Sequence, residues 1–419
     1  MNNAILNNYQ RWTERAIADI DVINELKDIA GNEEKIEDAF YKDLAFGTGG
    51  LRGVIGAGTN RLNVYTVAKA SQGLADYVIK NFAPEKRKIA VSFDSRIKSD
   101  VFAKVASGVF AANGIKVAIY SELMPTPFPT CPYPNPEVKE AMELGIEYAK
   151  KNNADLLLAT DPDCDRVGIA VKNTQGEYVL LSGNETGMLL LDYICSRRTQ
   201  MKTMPQDPVT VKTIVTIDMA ERIAAKYGVK TINVLTGFKF IGEQIGFLEK
   251  QGKESSYIFG MEESYGYLSG SYVRDKDGVN AAFLICEMFA YYASRGIGLF
   301  EKLNELYEEY GYCLNTLHSY TFEGSAGFEK MQNIMASFRK SITEFAGKKV
   351  LKCLDYSRGI DGLPKSDVLK FFLEDNCSIV VRPSGTEPKL KAYISVSAAT
   401  KEEAQVVEGE LARAVEEKM

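Results

Sequence analysis

One histidine, His318, is all that this chain of 419 residues possesses. Any mechanism that needs a histidine base would rest on that residue alone. It lies in the alternating segment 316–322, where a structural role is expected. The seven cysteines (Cys131, Cys164, Cys195, Cys286, Cys313, Cys353 and Cys377) show no paired spacing, which argues for reduced thiols and against disulfides or zinc ligands. No apolar run approaches the roughly 20 residues that a bilayer needs. The polar opening, residues 1–15, lacks a signal-peptide core, so no membrane association and a cytoplasmic location are expected. A basic surplus is missing too. The net charge of −6 gives no general pull toward nucleic acid, and anionic partners would have to be captured by local basic groups. Internal repeats are absent, and the one biased tract is a cluster of six prolines from Pro125 to Pro136.

What is present is an ordinary globular composition, 45% hydrophobic and 25% charged, on a chain too long for one core. Three domains are expected, over 1–127, 128–312 and 313–419. In the first, residues 88–93 and 115–120 read as buried strands, joined by a helix that starts at the cap candidate Ser99 and stops near Gly114. A longer amphipathic helix over 64–82 precedes them, and the opening to Lys42 is mainly helical. From Glu137 a second alternation of strands and helices begins, which implies a mostly parallel sheet with ligands beyond the carboxyl ends of its strands. After about Tyr312 the pattern changes to a smaller α+β unit with strands at 378–381 and 390–396 and a terminal helix from Lys401.

Two short stretches carry the chemistry. Asp161-Pro-Asp-Cys-Asp-Arg166 puts three carboxylates at every second position straight after the apolar run 155–159, hard oxygen ligands suited to a small dication such as magnesium. A helix-loop-helix calcium site fails, because the sixth position is Arg166 and the twelfth Lys172. An aspartyl-phosphate phosphatase, with Asp161 as nucleophile, is broken by Arg166 and the third aspartate. The second stretch, Arg382-Pro-Ser-Gly-Thr-Glu-Pro388, offers a guanidinium fork, two hydroxyls and backbone N–H groups around Gly385, which is what an anion nest needs. Three weaker segments accompany them. Phe46-Gly-Thr-Gly-Gly-Leu-Arg-Gly53 lets backbone approach a ligand, with Arg52 for a phosphate contact. Thr236-Gly-Phe-Lys-Phe240 and Glu262-Glu-Ser-Tyr-Gly266 each set polar groups just after a strand.

Taken in order, these five segments resemble the α-D-phosphohexomutases, the family of phosphoglucomutases and phosphomannomutases. The resemblance implies a multi-domain α/β enzyme that moves a phosphoryl group between C1 and C6 of a hexose phosphate, glucose or mannose. A phosphoserine would carry it through a bisphosphorylated intermediate, with hexose 1,6-bisphosphate as activator. It implies that Asp161, Asp163 and Asp165 bind magnesium and that Arg52 and Arg166 contact the transferring phosphoryl group. Lys239, Glu262 and Ser264 would meet the sugar phosphate, and Arg382, Ser384, Gly385 and Thr386 the non-reacting phosphate. The partner would be a small sugar phosphate bound by a monomer or dimer. The spelling of the glycine loop and of residues 260–267 looks more like the branch of phosphopentomutases and phosphoglucomutase-2-type bisphosphate synthases.

One departure is large. Family members carry a Thr-Ala-Ser-His-Asn-Pro loop late in the first domain, whereas here Ser and His adjoin only in reverse, at His318-Ser319. Met124-Pro-Thr-Pro127 runs straight into 128–136, as though the rest of domain one and nearly all of domain two were removed. The expected fold is thus a truncated first domain, an α/β domain holding the metal and sugar loops, and a small α+β C-terminal domain. The expected consequences are loss of the phosphoserine carrier and an exposed sheet edge near 115–120.

Overall fold

The computed structural model describes residues 3–46, 51–94, 96–119, 131, 133–322, 324–340, 342–360, 362–384 and 389–419, the side chains of 324 and 325 excepted. The junction at 124–130, the glycines of the 47–50 loop, and Gly385 and Thr386 lie outside the described residues. The chain forms two compact units, one built mainly on residues up to 129 and the other mainly from 130 onward.

The first unit opens with α1 (Asn3–Arg15), α2 (Ile20–Asp28) and α3 (Glu33–Phe40), closed around Ile5, Val22, Leu26, Ile36 and Phe40. Asp19 and Asn32 cap the second and third by accepting first-turn N–H bonds, and Asn63 with Thr66 forms a reciprocal capping box on α4 (Val64–Asn81). β1 (Lys88–Val91), α5 (Ser99–Ala112) and β2 (Lys116–Ile119) follow, the strands paired in parallel from Lys88↔Lys116 to Val91↔Ile119. Ser99 is not the cap of α5. Lys98, at φ 61°, takes that place, and the Ser99 hydroxyl accepts the Asp94 N–H at 3.2 Å instead. Among the described residues this sheet has two strands, and Ile119 is 42% exposed on it.

The second unit begins with α6 (Lys139–Lys151) and the strands β3 (Leu156–Thr160), β4 (Val167–Lys172) and β5 (Tyr178–Leu181). These form their own antiparallel sheet, with Thr160 opposite Val167. The aspartate run therefore sits in a hairpin rather than beyond a strand of a parallel sheet. Residues 161–166 are enough to turn a hairpin, whereas parallel neighbours need a crossover of roughly a dozen residues or more. The parallel sheet comes next. After α7 (Gly183–Met201) come β6 (Val209–Thr213), α8 (Met219–Lys226), β7 (Lys230–Val234), α9 (Phe238–Lys250), β8 (Tyr257–Met261) and β9 (Tyr267–Leu268). Their order is β7-β6-β8-β9, with β7, β6 and β8 parallel. α10 (Gly278–Ala293) and α11 (Leu299–Tyr310) join α7 in the largest core, and α7 is buried on nearly every side from Gly183 to Cys195, as a helix inside a fold must be.

The chain ends in an antiparallel six-stranded sheet, made of β10 (Tyr312–Thr321), β11 (Glu344–Phe345), β12 (Lys348–Asp355), β13 (Leu369–Leu373), β14 (Ser378–Pro383) and β15 (Lys389–Ala398). Its order is β10-β15-β14-β13-β12-β11. α12 (Gly324–Phe338) and α13 (Lys401–Glu416) cover it through Met335, Phe338, Leu411 and Val415. His318 on β10 stands 2.7 Å from Glu408 on α13, a structural tie. Within this unit an ionic knot joins the parallel sheet to the C-terminal one: Asp218 accepts from Lys212 at 3.0 Å, Lys370 at 3.0 Å and Ser378 at 3.1 Å. No helix among the described residues is long and apolar enough to cross a membrane.

Candidate metal and sugar-phosphate site

The β3–β4 hairpin folds on its own first aspartate. Asp161 Oδ1 accepts the N–H groups of Asp165 at 3.1 Å and Arg166 at 3.0 Å, and Cys164 takes a left-handed φ of 55° to close the turn. Ligand atoms of Asp161, Asp163 and Asp165 then lie within 4.8 Å of one another. Burial, the hydrogen bond shared with Asp165, and the Asp165 and Asp163 charges push the Asp161 carboxyl up to about 7, with the Arg166 N–H opposing. Burial acts on Asp165 too, but Asp161, Lys276 and Arg166 together hold it below its ordinary value. Two carboxyl groups so close share a proton unless a cation separates them. Asp165 Oδ1 is buried and has no hydrogen-bond partner among the described residues. A spare hard acceptor beside two further carboxylates fits magnesium.

Two residues at this loop were not singled out from sequence. Lys276 donates to Asp165 Oδ2 at 2.9 Å and sits 5.8 Å from the Phe238 ring. Two residues on, Gly278 N–H bonds Cys164 O at 2.9 Å, and an added Cβ there would meet that oxygen at 2.6 Å. Glu137, straight after the proline cluster, accepts from Arg166 Nη1 at 2.8 Å, and burial raises its pKa against that guanidinium. Arg166 Nε points at Asp161 and Asp165 from 3.7 Å and, like Asp165 Oδ1, is buried with no hydrogen-bond partner among the described residues. A lysine among acidic neighbours ahead of α10 was a faint signal. A glutamate following prolines was none.

The 262–266 loop is fastened to the hairpin by backbone. Val167 N–H donates to Tyr265 O at 3.1 Å, and Arg166 bridges Gly266. Tyr265 is left-handed at φ 64°, and Gly183 allows the loop to touch the start of α7, since a Cβ there would lie 2.1 Å from Glu263 O. Glu262 is buried and accepts Gly237 N–H at 3.0 Å, which locks the 236–240 segment to this loop. Glu263 turns instead to the Thr213 and Thr216 hydroxyls, at 3.1 and 3.3 Å. Ser264 is half-buried, and Lys239 stands exposed in the first turn of α9.

At the C-terminal sheet, Arg382 and Lys391 face each other directly across β14 and β15. Like charges so placed repel unless an anion lies between them. Arg382 Nη2 donates to Tyr393 Oη at 3.1 Å, while its buried Nε has no hydrogen-bond partner among the described residues. Ser384 N–H donates to Lys389 O at 2.7 Å and so closes the base of the loop. Glu137 also feels the charges of Glu263 and, from β15, Lys391. Arg52 belongs to the other unit, where it is exposed.

Profiles of one family match three stretches. These are described as phosphoglucomutase/phosphomannomutase α/β/α domain I over residues 43–131, α/β/α domain III over 182–310, and the C-terminal domain over 331–414. The aspartate run falls between the first two. The phosphoglucomutase of Staphylococcus saprophyticus is 38% identical over 281 residues, 64% of this chain and 50% of that protein. That of Staphylococcus aureus strain MRSA252 is 37% identical over 275 residues, 62% of this chain and 48% of that protein. The chain spans about half the length of the curated relatives it matches. The open form of the exocytosis-sensitive phosphoprotein pp63/parafusin, a phosphoglucomutase from Paramecium, aligns with a TM-score of 0.50 at 18% identity, over 87% of this chain and 62% of that one, a likeness of fold alone.

Proposed function

This chain belongs to the α-D-phosphohexomutase family of phosphoglucomutases and phosphomannomutases, and we propose on that premise that it binds magnesium and a hexose phosphate without interconverting the 1- and 6-phosphates. The observation that carries the reading is the aspartate hairpin, three carboxylates within 4.8 Å with an orphaned buried oxygen on Asp165. Asp161, Asp163 and Asp165 hold the ion, which when bound would offset charge on phosphoryl oxygens. Arg166, held by Glu137, meets the phosphate beside the ion, and Arg52 is a phosphate contact by family resemblance. Glu262, Ser264 and Lys239 meet the sugar phosphate, and Arg382, Ser384, Gly385 and Thr386 take the distal phosphate.

The same sequence argues against turnover. The family mechanism runs through a phosphoserine in a Ser-His loop, and this chain has that pair only reversed, at His318-Ser319. Removal of a covalent carrier closes a two-step path rather than slowing it. A hexose 1,6-bisphosphate is then a ligand and not an activator. The glycine loop and residues 260–267 favour the phosphoglucomutase-2 and phosphopentomutase branch. Calorimetric titration of magnesium, and of glucose 1-phosphate in its presence, tests the reading. Saturable binding of both is expected, with Asp163→Asn weakening magnesium by about tenfold or more. Unaltered magnesium binding by that variant would remove the hairpin from the account.

A further inference from the structure

A cavity of about 750 Å³ opens in the first unit between α1, α4 and the stretch from Asp43 to Phe46, with Leu51 of the glycine segment also in its lining. Small-molecule sites commonly occupy roughly 300 to 1,000 Å³. Its apolar wall includes Trp12, Leu44 and Tyr65, and the Trp12 ring is fixed edge-on to Phe40 at 5.7 Å and to Tyr65 at 5.3 Å. Its charged lining is cationic on balance. Lys69 is matched by Asp43 at 2.6 Å, but Arg11 bonds only the neutral Asn8 amide oxygen at 3.0 Å, and neither Arg11 nor Arg15 has a carboxylate partner among the described residues.

Arg11 and Arg15 stand one turn apart on α1, where like charges repel. Arg15 lies in the last turn of α1, where the helix dipole favours a cation, whereas Arg11 sits one turn earlier over the aromatic wall. We propose that this cavity binds a small organic anion with an aromatic ring, of the aryl-phosphate class. The two guanidinium forks meet the phosphate, and the ring packs against Trp12 and Tyr65. A hexose phosphate offers no such ring, so this site and the aspartate hairpin select different ligands.

Trp12 is the only tryptophan in the chain, so its emission reports on this cavity and nowhere else. Phenyl phosphate titrated into the full chain should quench or shift that emission saturably. Phenol, inorganic phosphate and glucose 1-phosphate should each act at least about tenfold more weakly. The double variant Arg11→Gln, Arg15→Gln should lose the response by a similar factor while keeping the wild-type circular dichroism, since both side chains are exposed. An unsaturable signal, an equal response to phenol, or an unaffected double variant would overturn the proposal. So would Trp12 emission that changes with protein concentration alone, which would give the cavity to a second copy of the chain.

Discussion

Glu262 is held in an environment that favours its proton. Burial, with the Glu263 charge adding to it, pushes the carboxyl up to about 7 from an ordinary 4.5, against Lys276 and the Gly237 N–H. Between those two values the folded state binds more proton than the unfolded state, so stability falls as pH rises through the interval and the full cost is present above it. That cost is on the order of 3 kcal/mol. Glu262→Gln keeps an acceptor for Gly237 and sheds the charge. A melting series should place the variant several degrees above wild type at about pH 8 and close to it at about pH 5. A gap that does not vary with pH would show that the Glu262 carboxyl is not the strained group. The aspartates were legible at this scale, because carboxylates at alternate positions after an apolar run have few other uses. Lys276 and Glu137 were not legible, because each meets the hairpin through a contact that no local spacing encodes.

At the scale of elements, periodicity gave β1, α5, β2, α4, β14, β15 and α13 to within a few residues, but missed α9, α11, α12, β12 and β13 and did not show how the strands pair. The run from Leu156 to Thr160 reads the same in a parallel or an antiparallel sheet, and only the shortness of the 161–166 connection decides for a hairpin. The hydroxyl of Ser99 was read as a cap and instead serves the turn before it. Among the described residues the β1–β2 sheet has two strands, packed on one face against Ala75 of α4 and Phe110 of α5, with Ile119 42% exposed. The full chain should therefore bind an apolar dye and self-associate at micromolar concentration. Ile119→Lys should reduce both without lowering the melting temperature. A monodisperse wild-type monomer with little dye binding would refute the exposed edge.

Across the second unit, the Asp218 knot couples the parallel sheet to the C-terminal sheet. Burial works to raise its pKa, and Lys212 and Lys370 overcome this to hold the carboxylate well below its ordinary range. Its contribution is present above that ordinary range and is lost as pH falls through the depressed value. Asp218→Asn leaves the buried Lys370 ammonium without its carboxylate and Lys212 with Glu221 alone, at 3.2 Å, and should cost roughly 3 to 5 kcal/mol in denaturant unfolding at neutral pH, less in acid. A loss below about 1 kcal/mol would mean that the knot does not join the sheets energetically. The central claim concerns what the whole molecule keeps and lacks: a metal hairpin and sugar-phosphate loops without a phosphoserine carrier. The most direct measurement is conversion of glucose 1-phosphate to glucose 6-phosphate by this polypeptide, with magnesium and a trace of glucose 1,6-bisphosphate. The account predicts bound ligand and no glucose 6-phosphate above the uncatalysed background; steady conversion, lost on Asp163→Asn, would contradict it and place a carrier elsewhere in the chain.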